Sequence, residues 1–247
     1  MVKQSLTSTI RNFLTKRTGD EVALVKTLLR YVLVLYVMGV TNDLADGRGT
    51  LLPDSYAPLP DIFFDFIPNW QGVGWIPDKM VSFAYMLVLG RILTAQANRL
   101  RLGMAFVELH TCLLLLRCVT VALTIFPAPT LKCAYKMPSK PSYFLIEPIL
   151  RMLRPDGMSS WCHDMLFSGH AMLFVLAALF LSQSSGSKFW RYIGWVLAIP
   201  GIFLLLAARV HYSVDIAVAI IITTLVFEQW KAEIAALFSN RIVFVDH

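Results

Sequence analysis

Two histidines and one aspartate carry the strongest chemical signal in the sequence. His211 and Asp215 stand at i and i+4, so at the start of a helix their side chains share one face. A carboxylate placed there can hold one imidazole nitrogen protonated and leave the other with its lone pair outward, an oriented basic nitrogen. His170 follows Ser168 and Gly169 where an apolar stretch begins, and backbone N–H groups and the dipole at a helix N-terminus favour an anion such as phosphate. Gly169 permits close approach of the backbone. Ser168 could donate to a phosphate oxygen or simply cap the helix. Two imidazoles and a carboxylate, with basic groups nearby, suit phosphoryl transfer: one imidazole attacks phosphorus and the other protonates the leaving oxygen. Taken singly, a histidine at a membrane edge is more often a packing or interfacial residue. His110, beside Glu108, and His247, at the terminus, fit that blander reading.

The elements that must position these groups are membrane helices. Of 247 residues, 57% are hydrophobic and 15% charged, and the mean hydropathy is +0.62. A soluble domain carries about 45–50% apolar and about 25% charged residues, so a soluble enzyme, a disordered chain and a disulfide-stapled module all fit poorly. The net charge of +6 does not indicate nucleic acid, because no basic run exceeds Lys16-Arg17 and most Lys and Arg flank apolar stretches as membrane-edge anchors. Six segments approach the roughly 20 apolar residues that a span needs: 22–40, 79–98, 102–126, 164–183, 189–208 and 211–230. The expected fold is an all-α integral membrane protein, a six-transmembrane-helix bundle with two long outer loops, 41–78 and 127–163. A basic N-terminal segment (1–21), without the apolar core of a signal peptide, precedes a membrane catalytic domain (22–230) and a tail (231–247).

Charge in the short connections places both termini in the cytosol. The other side receives the acidic run Asp43, Asp46, Asp54, Asp61, Asp65 and Asp78, although the basic residues Lys132, Lys136, Lys140, Arg151 and Arg154 of the second loop oppose that assignment. Helix counting then brings Ser168-Gly169-His170, the Arg209 to Asp215 stretch, and Arg117 with Thr120 to one side, facing both long loops. Intramembrane ionisable groups of this kind usually face a bundle interior or a cavity.

Four blocks in order carry a family resemblance. They are Pro58-Leu59-Pro60-Asp61 with Ile62-Phe63-Phe64-Asp65; Arg117-Cys118-Val119-Thr120; Cys162-His163-Asp164-Met165-Leu166-Phe167-Ser168-Gly169-His170-Ala171; and His211-Tyr212-Ser213-Val214-Asp215-Ile216-Ala217-Val218-Ala219. Together they resemble the sphingomyelin synthase family, within the lipid phosphate phosphatase superfamily, over about residues 20 to 230. His163 replaces the family's usual glycine and Ala171 its usual threonine. Neither change removes a catalytic group, but His163 adds an ionisable side chain that could alter headgroup choice or the pH profile.

The resemblance implies a catalytic triad of His170, His211 and Asp215. His211 would be the nucleophile, Asp215 its orienting carboxylate, and His170 the acid toward departing diacylglycerol and then the base toward the primary hydroxyl of ceramide. Substrate contacts implied alongside are Arg117, Asp164, Ser168, Gly169, Arg209, Asp61 and Asp65. Arg117 either holds phosphate or forms a buried ion pair, Asp164 contacts the headgroup or bonds structurally, and Arg209 meets phosphate or anchors the interface. The implied partners are a phospholipid donor, with phosphatidylcholine favoured, ceramide and other membrane lipids. No cofactor, metal or nucleic acid is expected, and a homo-oligomer stays open. The expected location is the Golgi or plasma membrane, multi-pass, with the site facing lumen or exterior.

A choline headgroup would favour an aromatic box, for which Phe63, Phe64, Phe66, Trp70, Trp75, Tyr135 and Trp161 are candidates, equally readable as interface anchors. Ethanolamine would favour Asp61 or Asp65, and inositol several hydrogen-bonding groups. A lipid phosphate phosphatase is the nearest rival, but where that branch has lysine ahead of Arg154-Pro155 this sequence has Glu147. A catalytically silent lipid-binding membrane protein is the non-enzyme rival. Cys133 and Cys162 share the outer loop, where oxidising conditions could pair them, and the sequence leaves that pairing open.

Overall fold

In lipid, backbone groups must satisfy one another locally, so apolar segments of this length fold as helices. The computed structural model describes residues 2–49, 58–95, 98–129, 146, 148–149, 163–184 and 188–239. The regular elements among them are α1 (Val2–Gly49), α2 (Ile62–Phe66), α3 (Trp75–Leu93), α4 (Arg99–Leu123), α5 (Gly169–Ser182), α6 (Lys188–Ala207) and α7 (Ser213–Phe238), with a 3-10 turn at Gln71–Val73 and no strand among the described residues. The Cys133–Cys162 pairing, Tyr135, Trp161, Glu147, the basic residues 132–154 and His247 lie outside the described residues.

Six of the helices alternate in direction. At one end meet the C-termini of α1, α4 and α6 and the N-termini of α3, α5 and α7. There Arg48 Nη1 donates to the Ala122 carbonyl (2.7 Å), the Trp70 N–H to the Ala207 carbonyl (2.7 Å) and the Ser168 N–H to the Asp215 carbonyl (3.2 Å). At the opposite end Asn98 Nδ2 donates to the Leu237 carbonyl (2.8 Å) and Arg91 Nε to Ser184 Oγ (3.0 Å). The outward faces are apolar, with Leu29 and Val32 on α1, Met86 on α3, Ile199 on α6 and Leu225 on α7 all exposed. Such a surface is tolerable in lipid and a liability in water.

Among the described residues, four helices are long and apolar enough to cross a membrane: Asp20–Gly49, Arg99–Leu123, Lys188–Ala207 and Ser213–Phe238. The other two expected spans differ. Helix α3 carries Asp78, Lys79 and Arg91 within its 19 residues. Helix α5 has 14 residues, about 21 Å at 1.5 Å per residue, against a hydrocarbon core of about 30 Å. It begins at Gly169 and not near 164 because the Ser168 side chain accepts the Ala171 N–H as N-cap and Phe167 before it is left-handed, at φ 69°. Buried through most of its length, α5 is the hub that α3, α4, α6 and α7 surround.

Other boundaries shift as well. α1 is helical from Val2, so the segment expected as a separate N-terminal stretch is continuous with the first span, and α1 also runs on to Gly49. The first outer loop is thereby shorter than 41–78. Thr41, Asn42, Asp43 and Asp46 are buried in that last part of α1.

Helices α5 and α6 pack closely through glycine. A Cβ at Gly194 would come within 2.6 Å of Ala178 Cα, and one at Gly201 would strike the Phe174 ring. Gly90 on α3 faces open space instead. Gly194→Val should therefore cost about 1–3 kcal/mol of stability, as overpacking does, whereas Gly90→Ala should be neutral or stabilising through helix propensity. Apparent melting temperatures in detergent, followed by tryptophan fluorescence, check this contrast; equal melting of the two variants would contradict it.

Candidate active site

The common end of the helices gathers the chemically distinctive residues. Asp215 lies in the first turn of α7 with no solvent exposure, and its Oδ2 accepts the Tyr212 N–H at 3.0 Å. His211 precedes the helix, so the pair does not meet across a helical face as its spacing suggested. The turn at 208–212 brings the imidazole back instead, with Nδ1 3.5 Å from Asp215 Oδ2. The alignment falls short of a hydrogen bond: His211 Nδ1 and Asp215 Oδ1 are both buried without one to any described residue. Such groups are costly to leave unpaired, and catalytic hydrogen bonds are often loose before substrate arrives.

His170 occupies the first turn of α5, its ring centroid 6.1 Å from that of His211. Near-attack separations of about 3–3.5 Å and one hydrogen bond of about 2.6–3.2 Å can be shared between rings at that distance. The N-termini of α5 and α7 point the positive ends of their dipoles toward the same place. A Cβ at Gly169 would lie 3.2 Å from Arg117 Cζ, so the missing side chain lets a guanidinium sit against the start of α5.

Arg117 resolves into the buried ion pair. Its Nη2 lies 2.7 Å from Asp164 Oδ2 and also donates to the Asp164 carbonyl at 3.0 Å, while Nε donates to the Phe167 carbonyl at 2.9 Å. Asp164 is correspondingly the partner of Arg117. Together with Thr120 Oγ1, 3.3 Å from the Leu166 carbonyl, they shape the non-helical run that aims α5.

Asp61 also makes structural bonds: Oδ1 accepts the Phe63 N–H (2.9 Å) and Oδ2 the Ser213 N–H (2.6 Å), tying α2 to the start of α7. Asp65 is exposed on α2. Arg209, left-handed at φ 56°, clamps α2 through Nη2 to the carbonyls of Phe64 (2.6 Å) and Ile67 (2.9 Å) and lies 3.9 Å over the Phe64 ring. Its Nη1 is buried with no hydrogen bond to a described residue. Phe64 is therefore occupied, stacked on Tyr212 as well, and Trp70 packs edge-on against Phe203. Phe63, Phe66 and Trp75 stay exposed.

Three groups at this end were not singled out from the sequence as site residues, or were read differently. Asp78, in the first turn of α3, places Oδ1 2.6 Å from His170 Nε2. Tyr212 accepts the Leu59 N–H (3.0 Å) and donates to the Pro127 carbonyl (2.9 Å), stapling both outer connections to α7. Burial pushes its phenol above the ordinary value, opposed by the Leu59 bond, which keeps it a donor. His163 turns from the site to α1, where Asp46 Oδ1 accepts its N–H at 2.9 Å and lies 3.2 Å from Nδ1.

Comparison with known proteins places this geometry in context. Residues 161–233 match the model described as PAP2 superfamily C-terminal. The chain is 34% identical over 221 residues to phosphatidylcholine:ceramide cholinephosphotransferase 2 of Rattus norvegicus, covering 84% of this chain and 57% of that protein. It is 35% identical over 180 residues to the Homo sapiens enzyme of the same name, covering 68% and 48%, and 29% identical over 215 residues to phosphatidylcholine:ceramide cholinephosphotransferase 1 of Gallus gallus, covering 82% and 51%. The chain spans about half the length of the curated relatives it matches.

Proposed function

We propose that this chain, 34% identical over 84% of its length to a phosphatidylcholine:ceramide cholinephosphotransferase, is a member of the sphingomyelin synthases and transfers phosphocholine from phosphatidylcholine to the primary hydroxyl of ceramide, releasing diacylglycerol. The observation that carries the reading is the meeting of His170 and His211 at 6.1 Å, with Asp215 behind His211, at one end of the bundle.

In the proposed mechanism Asp215 faces Nδ1 of His211, so Nε2 attacks phosphorus. The bond to the diacylglycerol oxygen breaks as His170 gives that oxygen a proton, and phosphocholine is left on His211. His170, now neutral, takes the proton of the ceramide hydroxyl. The ceramide oxygen attacks phosphorus, the P–N bond breaks, and His211 is restored. The positive ends of α5 and α7 offset charge gathering on the phosphoryl oxygens. Arg117 contributes by holding the 164–167 run against the start of α5, and its charge adds to the local positive potential. For the headgroup, Phe63, Phe66 and Trp75 are the exposed aromatics able to meet a quaternary ammonium.

The same reading includes a six-span bundle in residues 22–230, with α3 and the short α5 as the two additional crossings, flanked by cytosolic segments 1–21 and 231–247. The site faces the lumen or exterior of a Golgi or plasma membrane. The charge distribution in the short connections supports that orientation.

Purified protein given fluorescent ceramide and, separately, phosphatidylcholine, phosphatidylethanolamine and phosphatidylinositol tests the reading. The expected result is a product with sphingomyelin mobility from phosphatidylcholine, with one diacylglycerol released per product. Free phosphocholine formed equally without ceramide would replace transfer with hydrolysis, and a product from another donor alone would change the headgroup.

A further inference from the structure

The two imidazoles are each backed by a carboxylate, but by different nitrogens and from different helices. Asp215 of α7 faces Nδ1 of His211 at 3.5 Å, while Asp78 of α3 faces Nε2 of His170 at 2.6 Å. The second contact is the shorter and joins residues 92 apart in sequence. It is also open to solvent: the His170 side chain is 32% exposed and that of Asp78 53%.

We propose that Asp78 is the positioning residue of His170, holding a proton on Nε2 so that Nδ1 is the nitrogen that gives and takes the proton during transfer. This rests on the phosphocholine-transfer reading above. A carboxylate on one nitrogen fixes the tautomer and stabilises the imidazolium. In the first half-reaction the Nδ1 proton passes to the diacylglycerol oxygen; in the second the ceramide hydroxyl proton returns to Nδ1, and Asp78 keeps its Nε2–H contact throughout. Each histidine thus has its own carboxylate, Asp215 for the nucleophile and Asp78 for the acid and base.

Most of the other charged groups at this end are otherwise committed. On α4, Arg117 lies beside Gly169 but is paired with Asp164 and the Phe167 carbonyl. From the start of α7 come His211 and Asp215, which face each other. Ahead of α7, Arg209 bonds the Phe64 and Ile67 carbonyls. On α3, Lys79 follows Asp78 and is exposed. On α6, Lys188 and Arg191 stand at the far end. Asp78 is the carboxylate in hydrogen-bond reach of His170 among the described residues.

The test compares the protein with Asp78→Asn, Asp78→Glu and a His170→Gln assignment control, using imidazole 15N spectra of histidine-labelled protein together with the kinetics of ceramide conversion. Asp78→Asn should release the His170 ring from one tautomer, so that its two 15N resonances lose the separate protonated-Nε2 signature expected of the parent. Turnover should fall with it, with kcat about ten- to a hundredfold lower and KM little changed. Asp78→Glu should restore part of both. An unchanged His170 tautomer signature in Asp78→Asn overturns the proposal, as does a faster variant, which would mean that Asp78 occupies the substrate's place. If His211→Ala is inactive while Asp78→Asn matches the parent, the transfer reading stands and this one falls. If the parent converts no ceramide, the transfer reading falls, and the spectra still decide whether Asp78 holds His170.

Discussion

Replacing His211 with alanine is expected to lower phosphocholine transfer about 10⁶-fold, the scale on which loss of a covalent nucleophile registers. Alanine leaves the backbone of the 208–212 turn in place: the Arg209 and Val210 amides still bond the Leu206 and Leu205 carbonyls at 3.1 and 3.0 Å. The loss would thus be one of chemistry with the fold retained. Turnover of fluorescent ceramide measures it, with trapping of labelled phosphocholine on the protein as a second readout. The parent should carry acid-labile label after brief exposure to phosphatidylcholine and the variant none. A variant rate within tenfold of the parent would remove His211 from the mechanism.

Asp215→Asn should cost about 10⁴-fold in kcat, the magnitude seen when an orienting carboxylate becomes an amide. The asparagine carbonyl can still accept the Tyr212 N–H that Asp215 Oδ2 accepts at 3.0 Å, so the start of α7 should survive and the melting temperature should change little. What is lost is the charge facing Nδ1 across 3.5 Å. Because the two residues act as a unit, the double variant with His211→Ala should be no slower than His211→Ala alone. Additive losses would show that Asp215 acts elsewhere, and a melting temperature that fell with activity would mark its role as structural.

The proposed triad is legible in the sequence for a local reason: His211 and Asp215 lie four residues apart, and Gly169-His170 follows a capping serine. The geometry underneath differs, because His211 stands outside α7 and reaches Asp215 through a turn that includes a left-handed Arg209. Helix periodicity cannot show such a turn. Hydropathy finds the apolar stretches but not their ends, and α5 is short because Ser168 caps it and Phe167 breaks from helical geometry. Asp78 stands in the sequence as one acid in an acidic outer run, since its partner is 92 residues away and no spacing rule spans that distance. The resemblance marks Asp61 and Arg209 as candidate substrate contacts. Both instead bind main-chain groups, which a sequence does not display.

One main-chain contact has an evolutionary corollary. The Ser168 amide donates to the Asp215 carbonyl at 3.2 Å, so the strands of chain bearing the two imidazoles are riveted together by peptide groups that side-chain replacement leaves untouched. Side chains at neighbouring positions can then change without altering the gap across which a phosphoryl group would pass. Proline at 168 is the exception, because it alone deletes the donor.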